Sequence, residues 1–255
     1  MKSQIFIFEG NMKDGLFAKS KKYYPENYTD EDIYESYKRD RIKLGKKYGF
    51  SGLKMFHIKQ KMEDNDSYPD NKTIILDESY MKKDDYFNEQ IEGDILVISN
   101  KYPKVAVAHS MADCPILIAE DRRKGVTALA HCGMYHINRG LPREIIKSLI
   151  DNFQSNPKDI YLYIGSHIWK ENYIYDKYPP KATNKEIWEN AIEKKGNNYH
   201  IDLTKAIKNQ LKEYNLAEIK ESKINTYTDP NYASHRGSLV DINKKGQNIV
   251  GFYYK

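Results

Sequence analysis

The chain alternates between short apolar runs and polar, turn-rich stretches. IFIFEG (5–10) reads as a first strand, and the polar residues 11–30 include a loop at YYPENYTD. TDEDIYESYKRDRIKLGKKYGF then predicts a helix. Thr29 is its cap, Glu31 and Asp32 favour the positive end of its dipole, and Gly49 stops it. Ile33, Tyr37, Ile42 and Leu44 make its apolar face. LKMFHI (53–58) alternates like a strand and carries His57; residues 59–71 read as a polar loop and TIILD (73–77) as a strand. GDILVIS, KVAVAHS, PILIAED and VTALAHC are four apolar runs in close succession, expected to form one sheet. LPREIIKSLIDNF is an amphipathic helix with Pro142 in its first turn. IYLYIGSHI, IKESKINTY and QNIVGFYY read as strands, and TNKEIWENAIEKK and LTKAIKNQLKEYNL as helices, with Asp202 capping the latter. With no repeat, low-complexity tract or linker, the pattern predicts one α+β domain over 1–255, with mixed sheets and peripheral helices.

Composition narrows the function classes. The 41 basic and 36 acidic residues give a net charge of +5, spread along the chain rather than in blocks. A solvated lysine-rich surface explains this, and no nucleic-acid partner is expected. MKSQIFIFEG has an apolar run too short for a signal peptide, and no run approaches the ~20 residues that span a bilayer. A cytoplasmic protein with reduced thiols and no membrane partner is the expectation.

The chemistry concentrates in HSMADCPILIAEDRRKGVTALAHCGMYH (109–136). It holds both cysteines, Cys114 and Cys132, and three of the seven histidines. A disulfide, a cysteine nucleophile with a histidine base, or a metal site would each account for this. If PILIAED and VTALAHC form a hairpin with an even turn such as Asp121–Lys124, Cys114 lies opposite His131 on one face. An odd turn brings Cys132 there instead. Pro115 cannot donate to a ladder, which puts Cys114 at the strand's mouth. Asp113 is adjacent, but in an extended chain it points away from Cys114, and it is given no catalytic role. A catalytic zinc takes three protein ligands, and His57, a lone polar residue closing an apolar strand, is the candidate third.

VAVAHSMADCPILIAED, a short turn and VTALAHCG resemble the heart of the YfiH family, also called the laccase-domain or polyphenol-oxidase-like family. RDRIKLGKKYGF with KMFHI, GDILVIS, IYLYIGSHI, YHIDLTKAIKNQL and INTYTDPNYASHRG follow the family's order, so the likeness covers about 33–253. It implies an α-β-β-α sandwich and a zinc ion on His57, Cys114 and His131; the choice of His57 leans on the family. It also implies phosphorolysis or deamination of adenosine- or inosine-type nucleosides, with purine nucleoside and phosphate as ligands. Cys114, His131 and Arg236 are then the catalytic residues, Arg236 binding phosphate. The family's copper-oxidase label fits poorly, since seven histidines and two cysteines cannot fill several copper centres.

The chain departs from the family where its Trp-Arg-Gly reads Met134, Tyr135, His136, where a glycine is Ile58, where a cysteine is Asn225, and where Tyr-Arg becomes His235-Arg236. His136 reads as an exposed or pocket-lining residue, with replacement of the lost Trp-Arg pair as the lesser reading. Cys132 reads as a packing residue and His109 as structural. Two alternatives stay open: a metal-free cysteine hydrolase or deamidase with Cys114 as nucleophile and His131 as base, and a diverged non-catalytic member that binds a nucleoside or a protein.

Overall fold

The computed structural model describes residues 4–18, 20–59, 72–82 and 91–255. Most of the loop expected at 59–71 lies outside them. Four layers stack. The first is helix α1 (Asp30–Tyr48), started by a full capping box between Thr29 and Asp32 and stopped by Gly49 at φ 89°. Its buried face carries Ile33, Tyr37 and Leu44 as expected, but Arg41 takes the place assigned to Ile42; its guanidinium donates to the Met55 carbonyl.

The second layer is a five-stranded sheet in the order β1 (Ile5–Gly10), β14 (Asn248–Tyr254), β6 (Ala106–Met111), β2 (Met55–Lys59), β4 (Ile91–Glu92). The third is a six-stranded sheet in the order β13 (Glu218–Glu221), β9 (Ile160–Ile164), β7 (Ile116–Asp121), β8 (Val126–His131), β5 (Ile95–Ser99), β3 (Thr73–Leu76). The fourth comprises α4 (Leu141–Phe153) and α6 (Leu203–Leu211), the latter capped by Asp202. Short helices α2 (Glu78–Met81), α3 (Met134–Asn138) and α5 (Lys185–Trp188) and a small sheet of β10 (Ile174–Tyr175), β12 (Asn198–Ile201) and β11 (Ile192–Lys195) complete the described α-helices and sheets.

Alternation along the strands fills the space between layers. On β6, Ala106 and Ala108 pack with Leu44 of α1, while Val107 and Met111 pack with Ile116, Ile118 and Leu129 of the six-stranded sheet. On the far side of that sheet, Ala128, Ala130 and Cys132 pack with Ile145, Ile146 and Leu149 of α4. The small side chains let the helix approach the sheet closely.

Two expectations change. The four successive apolar runs do not form one sheet: β5, β7 and β8 share the six-stranded sheet, and β6 belongs to the other. Residues 183–195 are not one helix. Only Lys185–Trp188 is helical, Asn190 turns the chain at φ 54°, and Ile192–Lys195 pairs with β12. The Asn209 amide donates to the carbonyls of Ile187 and Glu189 and satisfies the broken helix end.

Candidate functional site

The site forms where β6 and β8 end and β7 begins. The β7–β8 turn is Arg122–Gly125, even in length but one residue later than expected. The Asp121 carboxylate accepts from Arg123 N–H and Lys124 N–H, both at 2.9 Å, and Gly125 takes φ 68°. Moving the turn by one residue moves every cross-strand partner by two. His131 is therefore opposite Ile116 rather than Cys114, and the ladder closes with Cys132 N–H donating to Pro115 O at 2.8 Å. Cys114 stands just beyond, at the mouth. Cys132 lies fully buried against α4, and both thiols are free.

Asp113, before Cys114, is not extended: it has φ 82°, a conformation Asp tolerates better than most residues. Its carboxylate accepts from Thr226 Oγ1 and from Arg236 N–H, each at 2.7 Å, and its carbonyl accepts from Ile168 N–H at 3.0 Å. Three distant segments are thus fastened beside the thiol. The Arg236 guanidinium lies over the rings of Tyr175 (4.3 Å) and Tyr173 (5.2 Å), whose hydroxyls are 3.2 Å apart. Burial, and then the nearby Cys114, push the Tyr173 hydroxyl well above its usual value. Sequence reasoning gave Asp113 no role and missed Tyr173 and Tyr175. An Asp before Cys-Pro was the one visible signal.

Four imidazoles form a column. Ring centroids are 5.0 Å apart for His57 and His109, 4.7 Å for His109 and His131, and 5.7 Å for His131 and His136. His109, expected to be structural, donates from Nδ1 to Ser110 O at 2.6 Å, and burial pushes its pKa down to about 4. Burial followed by the neighbouring imidazoles holds His131 well below its ordinary value. Burial also lowers His136 to about 4; its Nε2 is 3.9 Å from Asp94 Oδ1. Burial pushes the Cys114 thiol up to about 12, with Asp113 adding to the effect.

The donor types expected for zinc are present, and the His57 ring is hydrogen-bonded to Ser110 and Ile58. The β2–β6 ladder ends at His57 and Ala108, and the His57 ring takes the next main-chain donor: Ser110 N–H donates to Nε2 at 3.0 Å. Its Nδ1 then donates to Ile58 O at 3.2 Å. Among the described residues, no three His, Cys, Asp or Glu side chains stand at the spacing of a complete ligand set.

The family described as multi-copper polyphenol oxidoreductase laccase matches residues 70–250. Two purine nucleoside phosphorylases, from Rickettsia prowazekii and Rickettsia conorii, are each 31% identical, over 52% and 63% of this chain. The matches span 58% and 66% of those relatives, less than two thirds of either. YfiH of Bacillus licheniformis and YlmD of Geobacillus stearothermophilus share the fold, each with a TM-score of 0.69 and 18% identity. Each covers 87% of this chain, which covers 82% and 81% of them.

Proposed function

This chain belongs to the multi-copper polyphenol oxidoreductase laccase family, the YfiH family, and on that premise we propose that it cleaves purine nucleosides by phosphorolysis. What carries the reading is the Asp113 clamp, which holds Arg236 at the same mouth as Cys114. A phosphate oxygen attacks C1′ of the ribose, the C1′–N9 bond breaks, and the purine leaves with the bonding pair and takes up a proton. Arg236 neutralises the phosphate, with its guanidinium held against the ring of Tyr175. The relatives named purine nucleoside phosphorylases support the substrate class.

The metal-free cysteine hydrolase is the weaker reading. Its nucleophile would have to be a thiolate, and a thiol pushed up to about 12 stays protonated at neutral pH.

The test is a panel of adenosine, inosine and guanosine with and without phosphate, read by chromatography. Phosphate-dependent release of the base with ribose 1-phosphate is expected. Arg236→Gln should raise the KM for phosphate at least about tenfold, the loss of one charge-assisted contact. Ammonia release without base release would replace phosphorolysis by deamination.

A further inference from the structure

We propose that a second pocket, beside the start of α6, binds an uncharged planar base that carries N–H donors, of the amino-purine class. The proposal stands independently of the cleavage reading, because its test measures binding and no turnover.

The pocket, about 410 Å³, lies between the His167–Glu171 stretch, the first turns of α6 and the end of β13. That is within the range of small-molecule sites, roughly 300–1,000 Å³. Its lining includes none of Cys114, His131 and Arg236. Trp169 stands in its wall and is 39% exposed, which leaves an indole face open to a stacked ring. The chain's other tryptophan, Trp188, is 3% exposed and spends its Nε1 proton on Asn138 Oδ1 at 2.9 Å.

Two hydroxyls line the pocket, and both protons are already used. His167 Nδ1 donates to Gly165 O at 2.8 Å, so its Nε2 is an acceptor and takes the Thr204 Oγ1 proton at 3.0 Å. Ser222 Oγ donates to Glu9 Oε2 at 3.3 Å. Both hydroxyls therefore offer a ligand lone pairs only, and the ligand must be the donor. The lining is also balanced in charge, with three lysines against three carboxylates. Lys208 is already held by Glu221, so an anion would have to displace a carboxylate. Lys205 makes no ion pair among the described residues and supplies one N–H donor for a ring nitrogen. A flat face, an amino group at the edge, an acceptor nitrogen and no net charge together describe an adenine-type base.

The experiment titrates full-length protein with adenine and reads tryptophan emission excited at the red edge, where the base does not absorb. Quenching is expected, and Trp169→Leu should abolish it. Thr204→Val removes an acceptor and should weaken binding about tenfold, with Ser222→Ala as a second acceptor variant should valine disturb His167. Folding of each variant is checked by circular dichroism. Adenine should bind at least about threefold more tightly than unsubstituted purine, which lacks the amino donor. Wild-type protein that shows no quenching overturns the proposal, as does full adenine affinity in folded Thr204→Val and Ser222→Ala. Tighter binding of adenosine 5′-monophosphate than of adenosine overturns the uncharged class.

Discussion

Asp113 shows how much one residue does here. Its carboxylate satisfies Thr226 and the Arg236 main chain beside the Cys114 thiol. Asp113→Ala leaves both donors without an acceptor and should cost about 2–4 kcal/mol by urea denaturation, with Asp113→Asn milder. His167 gives a pH prediction. Its Nδ1 donates to Gly165 O and its Nε2 accepts from Thr204 Oγ1, so the fold needs the neutral ring, and burial lowers its pKa below 6.5. With the folded pKa depressed, the stabilisation is fully present above the unfolded value and declines as pH falls from there toward the folded one. Unfolding below about pH 6.5 should therefore take up a proton that His167→Gln does not, seen as a shallower loss of Tm with acidification in the variant.

At the scale of elements, Gly49 ends α1 in the left-handed region with only the Tyr253 hydroxyl near its missing Cβ. Gly49→Ala should destabilise by about 1–2 kcal/mol through backbone strain alone, measured by thermal or urea unfolding. The elements were legible where a cap or a period marked them: Thr29 and Gly49 bounded α1, and Asp202 began α6. They were not legible at 183–195. There the period suits a helix, but pairing with β12 and the Asn190 turn decide the outcome.

For the whole molecule, the layer between the two sheets sets the position of the site. Leu129 is fully buried there with Ile116, Val107 and Phe252. Leu129→Ala should cost about 2–5 kcal/mol in chemical denaturation. Among the described residues, no helix is long and apolar enough to cross a membrane.

The sequence by itself determined the alternation that fills the layers and the motif that brings Cys114 and His131 to one end of a hairpin, because both depend on spacing along the chain. Tertiary contacts alone put β6 in the other sheet, His109 between His57 and His131, and Cys114 and His136 both beside Gly133. Those outcomes depend on which main-chain donors and which open spaces distant segments present to one another, and no local pattern encodes that.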